Sequence, residues 1–319
     1  MNFWKHNEAA PSLLDTWLRC EPRYLRTNPP PKPNLGNFTC ERGTTKHATE
    51  ICDFWSEHYK GDGWSMRMPP ELLTKYLDDF AVYCILLRLG NQLIGTIFST
   101  PSGVAMSHGV EMPELRVIEG LCVHSDYRGK GVAGLLIGYI DWLLSARGPS
   151  PHMWSREESI IAGMISTCVS RKIYSYRNCW KRTGTRAKKL SYDEFMERYK
   201  LIRFEAPYIH SIKPNSWRGD LDYWELNDNL IVITNTRRIT NRGAPIYEIV
   251  MSEPKNIPSY FLDEICENYD SGQIFTTQNF ETLSLEWTLG ASGTHAWYLY
   301  NFIPPAFGYT NVTMVREEL

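Results

Sequence analysis

A short basic turn carries the residues of this sequence whose types and spacing best suit chemistry. The turn, DYRGKG, occupies residues 126–131 and lies between an apolar stretch and a segment with helical periodicity. Gly129 and Gly131 lack a Cβ, so a ligand can approach the backbone closely. A helix that begins after the turn directs unpaired N–H groups at one point, where they can hold a pyrophosphate. The alternative is a glycine turn that only caps an amphipathic helix.

The apolar stretch before the turn, RVIEGLCV at residues 116–123, contains a second unusual glycine. A glycine inside a strand indicates either a β-bulge or the close approach of a neighbouring backbone. At Gly120 a bulge would free backbone amides from the sheet, so that they face a ligand. Both interpretations fit the sequence.

The elements predicted around the turn are those that such a site requires. Residues 116–123 predict a strand, and a helix follows in which apolar residues recur at 133, 136, 137, 140, 143 and 144. Two apolar runs, at 81–89 and 92–100, flank Gly90-Asn91 and predict a β-hairpin. Helices are predicted at 48–59 and 70–80, with a glycine-rich break at 60–63.

The outer parts of the chain give weaker patterns. Residues 1–45 read as an extended arm, because the prolines between 29 and 33 favour polyproline II over helix. The further predicted elements are a strand at 159–165, a short basic helix at 169–178, strands at 230–236, 246–251 and 296–302, and a helix at 259–268.

Composition and charge exclude several classes of protein. The chain has 319 residues, 43% hydrophobic and 22% charged, so it is not mainly disordered, collagen-like or fibrous. Its net charge of -2 gives no overall attraction to nucleic acid, although residues 171–203 hold eleven Lys or Arg against three acids. The eight cysteines form no C-x-x-C pair and have no His at zinc spacing, which favours reduced thiols. With no signal peptide and no membrane-spanning stretch, we expect a soluble cytoplasmic protein.

The turn and the start of the following helix resemble a known acyl-CoA motif. Residues 128–133, RGKGVA, are similar to the R/Q-x-x-G-x-G/A motif of the GNAT superfamily of N-acetyltransferases. A longer run, GLCVHSDYRGKGVAGLLI at 120–137, resembles the signature of the N-myristoyltransferase family within that superfamily. Other stretches agree in the same order: Phe3-Trp4, Asn37-Phe38-Thr39, residues 64–73, residues 94–101, Ala162-Gly163 and Tyr298 to Phe302.

The resemblance implies a fold and a division into domains. The fold would be α/β (α+β), a GNAT-type mixed sheet with flanking helices, in which two GNAT-like lobes join around a continuous sheet. Residues 1–45 would form the extended arm, 46–203 the acyl-CoA-binding lobe, and 204–319 a shortened second lobe that binds peptide. The acidic run that receives basic residues of the substrate in this family is reduced here to KGDG at 60–63.

The function implied by the resemblance is N-myristoyltransferase activity. A fatty acyl chain would pass by direct attack from acyl-CoA, with myristoyl-CoA as co-substrate, to the N-terminal glycine of a protein. The enzyme would act as a monomer without metal, DNA or stable membrane insertion. Two alternatives remain open: a short-chain GNAT N-acetyltransferase, and a non-catalytic remnant that binds acyl-CoA or peptide.

The resemblance also assigns roles to residues of this chain. The amides of Gly120 and Leu121 would form the oxyanion hole, and the terminal carboxylate at Leu319 would be the base. Glu119 is the competing base, and Tyr174 could contact or protonate the departing thiolate. The residues implied to bind acyl-CoA are Phe3, Trp4, Leu121, Cys122, Val123, Arg128, Gly129, Lys130, Gly131, Val132 and Ala133. Those implied to bind the peptide substrate are Phe38, Asp62, Ala162, Gly163 and Tyr176.

Overall fold

The structure is a computed structural model, and it describes most of the first half of the chain and separate stretches of the second. The described residues are 23–61, 63–102, 105–106, 115–157, 166–176, 187–202, 209–210, 221–226, 229–253, 273–276 and 287–303. The strand expected at 159–165 and the helix expected at 259–268 lie outside these ranges.

Helices flank the turn region as the sequence predicts. The α-helices of the described ranges are α1 (Ala48–His58), α2 (Pro70–Asp78), α3 (Val132–Ser145) and α4 (Tyr192–Ile202). Helix α2 begins at a proline, which has no N–H to leave unpaired in the first turn. The core face predicted for α3 is confirmed at Leu136, Ile137, Ile140 and Leu144, which are buried, whereas Ala133 and Leu143 are half-buried.

The described strands are from 2 to 14 residues long. They are β1 (Arg23–Tyr24), β2 (Thr39–Arg42), β3 (Lys60–Gly61), β4 (Trp64–Met66), β5 (Tyr83–Leu89), β6 (Gln92–Ser102), β7 (Ala105–Met106), β8 (Leu115–Val123), β9 (His152–Glu157), β10 (Ser166–Tyr176), β11 (Lys188–Leu190), β12 (Ile209–His210), β13 (Leu221–Leu226), β14 (Asn229–Thr240), β15 (Pro245–Glu253), β16 (Gln273–Thr276), β17 (Trp287–Tyr300) and β18 (Phe302–Ile303).

Fourteen of these strands form one mixed sheet, so the predicted fold class is confirmed. The order across it is β11-β13-β14-β15-β16-β10-β17-β9-β8-β6-β5-β2, with β4 joined to β14 and β3 to β4. The pairs β8/β9 and β15/β16 are parallel, and the other pairs are antiparallel. Each half of the sheet therefore contains one parallel pair beside a set of antiparallel strands.

The two predicted lobes exchange strands at the middle of the sheet. Strand β17, from the second predicted lobe, pairs with β9, whereas β10, from the first predicted lobe, pairs with β16. The two exchanged strands also pair with each other along residues 166–176 and 287–298. The pairing thus crosses the boundary expected at 203/204, and the division into domains stays a prediction.

The prediction of a basic helix at 169–178 is wrong. Residues 166–176 form β10, which has hydrogen-bonded neighbours on both edges. Its β-branched and aromatic residues, Thr167, Val169, Ile173, Tyr174 and Tyr176, favour a strand. Lysines and arginines between them suggested a surface helix, but pairing with two strands outweighs that local preference.

The sheet separates two apolar cores. Cys84 and Leu86 of β5 face one side, where they pack with α1 and α2. Ile85 and Leu87 face the other side, where they pack with α3. Because β5 is covered on both faces, its sequence is an apolar run without alternation.

A buried ion pair fastens the N-terminal arm to α3. The Arg26 guanidinium donates to both carboxylate oxygens of Asp141, at 2.9 and 2.8 Å. The Tyr300 hydroxyl also donates to Asp141, at 3.0 Å, and the backbone N–H of Arg26 donates to Asn301 Oδ1 at 2.7 Å. Burial alone would raise the pKa of Asp141, but His152 and Arg26 outweigh it and hold the pKa below its usual value.

We predict that Asp141→Asn lowers the free energy of unfolding by about 3 kcal/mol, because it leaves a mostly buried guanidinium without its charge partner. Asp53→Asn, on the exposed face of α1, is the control and should change it by less than about 0.5 kcal/mol. Urea denaturation measures both, and equal effects would contradict the role of the ion pair.

Candidate functional site

The basic turn has the geometry that its glycines predict. Gly129 and Gly131 have φ values of +76° and +83°, in the left-handed region that favours glycine. Helix α3 begins directly after Gly131, and no side chain of the described residues caps its N-terminus. Its first N–H groups therefore point away from the helix and are available to an anion.

Arg128 holds the turn against two neighbouring elements. Its Nε donates to the carbonyl oxygen of Val123, at the end of β8, at 3.1 Å. Its Nη2 donates to the carbonyl oxygen of His58, at the end of α1. The side chain fixes the position of the turn as well as bringing a positive charge to it.

A cavity of about 730 Å³ lies at the meeting point of α1, β8 and the turn. Its lining includes eight of the residues expected to bind acyl-CoA: Leu121, Cys122, Val123, Arg128, Gly129, Gly131, Val132 and Ala133. Lys130 is not part of the lining, and its ammonium lies 5.3 Å from the centre of the Tyr127 ring. The sequence signature and the cavity thus coincide.

Five lining residues were missed by sequence reasoning: His58, Tyr59, Lys60, Tyr127 and Gly134. Tyr127 and Gly134 lie within the signature at 120–137, but their residue types alone do not indicate a ligand contact. The other three stand where the predicted helix at 48–59 meets the glycine-rich break. Only the packing of α1 beside β8 reveals them, and no local pattern encodes that contact.

The sheet opens beside the cavity. Strands β8 and β9 pair from Arg116 and His152 to Ile118 and Trp154, and their described pairing ends there. Strand β9 continues to Glu157 in register with β17. Within the described ranges, residues 120–123 of β8 therefore have a strand neighbour only on the β6 side, and the other edge faces the opening.

The β-bulge predicted at Gly120 is confirmed. Thr96 is in register with Cys122 and Phe98 with Glu119, so Gly120 and Leu121 lie opposite Ile97 alone. Gly120 has a φ of +57°, and a Cβ there would lie 2.7 Å from the Phe98 ring. The atoms nearest to that Cβ belong to the side chains of Phe98 and Trp55, so the space at Gly120 is limited by side chains and not by a neighbouring backbone.

The Glu119 carboxylate lies on the face of the sheet that α2 covers. Its side chain is buried, with 9% exposed, which contradicts a solvent-facing position. Oε1 accepts hydrogen bonds from the Tyr76 hydroxyl and, at 2.9 Å, from Thr100 Oγ1. Glu119 does not belong to the lining of the described cavity.

Two titratable groups of the lining, His58 and Cys122, have pKa values that burial shifts towards the neutral form. Burial, together with the neighbouring His124, lowers the pKa of His58 below its usual 6.5, so its ring is neutral at pH 7. The two imidazole rings lie 4.1 Å apart. Burial raises the pKa of the Cys122 thiol to about 12, so this thiol is no nucleophile near neutral pH.

Of the remaining residues expected to form the site, one lies beside the cavity, two lie elsewhere in the sheet, and the others lie outside the described residues. Phe38 packs edge-to-face on Tyr127, with ring centres 6.3 Å apart, and so lies next to a wall of the cavity. Tyr174 and Tyr176 lie in β10, between β16 and β17 in the middle of the sheet. Phe3, Trp4, Asp62, Ala162, Gly163 and Leu319 lie outside the described residues.

The described part of the chain contains no group of three His, Cys, Asp or Glu arranged to hold a metal ion. In the same residues, no helix combines the length and apolar character needed to cross a membrane.

Comparisons with known proteins agree with this geometry. Residues 49–165, which include the turn and the bulge, match the model of the acetyltransferase (GNAT) family. No curated protein matches the chain by sequence.

Two solved structures of N-myristoyltransferase from Saccharomyces cerevisiae, both with bound myristoyl-CoA, are similar to the whole chain. One has a TM-score of 0.70 and 13% identity, and the match covers 99% of this chain and 94% of the yeast chain. The other has a TM-score of 0.69 and 13% identity, with coverage of 95% and 93%. At this identity the likeness shows the fold.

The resemblance predicted from the sequence is confirmed at the level of domain and fold. The chain contains a GNAT domain and has the fold of N-myristoyltransferase. These findings support an acyltransferase of the GNAT superfamily.

We predict that Gly120→Ala destabilises the protein more than Gly129→Ala. Either alanine would have to adopt a left-handed conformation, which costs about 1–2 kcal/mol. Only at Gly120 does the new Cβ also clash with Phe98 and Trp55, which adds about 1–3 kcal/mol. Thermal unfolding distinguishes the two, and an equal loss would mean that the bulge relaxes without strain.

Proposed function

We propose that this protein transfers a long-chain acyl group, of the myristoyl type, from acyl-CoA to the N-terminal glycine of proteins. One observation carries the proposal: the glycine turn, the start of α3 and the open edge of β8 border the same cavity. These are the groups needed to hold a pyrophosphate, an amide-containing arm and a thioester in sequence.

The diphosphate of CoA fits the turn. Left-handed Gly129 and Gly131 allow an anion to approach main-chain amides, and the dipole of α3 favours negative charge at its N-terminus. Arg128 and Lys60 add positive charge at the cavity. The amide groups of the CoA arm can then hydrogen-bond to β8 where β9 has separated from it.

The reaction needs no covalent intermediate on the enzyme. The amine lone pair attacks the thioester carbonyl, a C–N bond forms, the C–S bond breaks, and CoA leaves as a thiolate that takes up a proton. Cys122, which lines the cavity, is held as a thiol by burial, which favours direct attack on the thioester. In this proposal the backbone amides at the bulge stabilise the oxyanion, and Tyr174 is the candidate donor to the thiolate.

Long-chain specificity rests on likenesses outside the turn. Phe3-Trp4 and residues 298–302 resemble the N-myristoyltransferase family and not acetyltransferases in general. The fold match to the yeast enzyme with bound myristoyl-CoA extends over both halves of the chain. The alternative, short-chain acetyl transfer, is favoured by the family model that matches residues 49–165.

We predict that Gly131→Val weakens acyl-CoA binding tenfold or more, whereas Lys130→Ala changes it little. A β-branched residue does not adopt the left-handed conformation at 131, so amide bonds to the pyrophosphate are lost, each worth about 1.5–3 kcal/mol. Gly243→Val is the matched control, since Gly243 has a φ of +81° and lies in the β14–β15 turn. If calorimetry shows a loss only with Lys130→Ala, the amide account is wrong.

We predict that myristoyl-CoA binds more tightly than acetyl-CoA by orders of magnitude, because each buried CH₂ contributes about 0.8 kcal/mol. The protein should transfer the labelled acyl group to a peptide that begins with glycine and not to the same peptide with an acetylated N-terminus. Equal dissociation constants for the two donors would favour the acetyltransferase alternative.

The base is the terminal carboxylate at Leu319 in this proposal, with Glu119 as the competitor. The buried Glu119 is occupied by Tyr76 and Thr100 and lies off the cavity lining. We therefore predict that Glu119→Gln lowers the single-turnover rate less than deletion of Glu318-Leu319, while acyl-CoA affinity stays nearly constant in both. The opposite order of rates would assign the role to Glu119.

A further inference from the structure

Two buried side chains form a hydrogen-bond chain that ends at the bulge. The indole Nε1–H of Trp55 donates to Thr96 Oγ1 at 2.8 Å. Thr96 Oγ1 in turn donates to the carbonyl oxygen of Gly120 at 2.9 Å. Both side chains are fully buried, with 0% exposed, within the apolar core beneath α1 and α2.

The direction of this chain is determined by its chemistry. An indole N–H only donates and a backbone carbonyl only accepts, so the single hydroxyl proton of Thr96 must point at Gly120. A bulge disrupts the ladder of backbone hydrogen bonds between the strands, so this carbonyl would otherwise lack a regular partner. The side-chain pair therefore fixes one peptide group of the bulge, between Gly120 and Leu121.

Fixing that carbonyl also orients the N–H of Leu121. The C=O and N–H of a trans peptide group are coplanar and point in opposite directions. With the oxygen held by Thr96 on the β6 side, the Leu121 N–H points away from β6. That is the edge of β8 from which β9 has separated, and Leu121 lines the cavity there.

We propose that Thr96 and Trp55 are positioning residues that aim the Leu121 N–H at the thioester carbonyl oxygen, so that it stabilises the developing oxyanion. The inference rests on the proposed acyl transfer and adds to it the residues that preorganise the donor. Preorganised donors contribute most where charge develops in the transition state. If the Leu121 N–H loses this orientation, the rate of acyl transfer should therefore fall more than the affinity for acyl-CoA.

The test compares Thr96→Val, which keeps the shape but removes the hydroxyl, with Thr96→Ser, which keeps the hydroxyl. Thr96→Val should lower the single-turnover rate of acyl transfer to a glycine peptide about tenfold or more, with the acyl-CoA dissociation constant unchanged within about twofold. Thr96→Ser should retain most of the wild-type rate.

Infrared spectra of bound myristoyl-CoA, isotope-labelled at the carbonyl, give a readout without turnover. The carbonyl stretching frequency should be lowered on binding to wild type and to Thr96→Ser, and lowered less on binding to Thr96→Val.

A double variant, Trp55→Phe with Thr96→Val, separates positioning from folding. In Thr96→Val the indole N–H of Trp55 has lost its acceptor, and the double variant removes that N–H. The thermal stability of the double variant should therefore be higher than that of Thr96→Val, while its rate of acyl transfer stays low. A recovered rate in the double variant, or a wild-type rate and carbonyl frequency in Thr96→Val, would overturn the assignment. A wild-type protein that binds no acyl-CoA overturns the proposed function and this inference together, and that result is seen before any variant is tested.

Discussion

The separation of β8 from β9 is the constraint on which the rest of the site depends. Backbone N–H and C=O groups within a sheet need partners. In the part of the chain that the structure describes, the pairing of β8 with β9 ends at Ile118, so residues 120–123 have no strand partner on that side. The bulge at Gly120 lies in the same strand, and the turn at 126–131 follows the end of that strand. A ligand that supplies amide and phosphate groups in that order satisfies the open edge and the uncapped start of α3 together.

Strands and side chains outside the opening between β8 and β9 hold its two sides in place. Strand β8 is fastened to β6, and β9 to β17, so each side of the gap belongs to a continuous sheet. Because β17 comes from the second half of the chain, that half sets the position of one wall. The Arg26–Asp141 ion pair ties the N-terminal arm to α3, whose N-terminus borders the cavity. Distant segments thereby fix the geometry of a site that they do not line.

Local patterns made much of this predictable from the sequence. The hairpin around Gly90-Asn91, the stripe of α3 and the glycine turn depend on residues close in the chain, and all three are confirmed. The features that the sequence did not predict depend on tertiary contacts. Residues 166–176 became a strand because two partners pair with them, His58 lines the cavity because α1 packs beside β8, and the burial of Glu119 depends on α2.

A crystal structure with a myristoyl-CoA analogue that cannot release its acyl group tests the central claim most directly. The account predicts that the pyrophosphate accepts hydrogen bonds from main-chain amides of residues 129–133, and that the acyl carbonyl lies in the opening between β8 and β9, facing the Leu121 N–H. A pyrophosphate bound away from the turn, or a β8 edge that stays unoccupied with the analogue bound elsewhere, would contradict it.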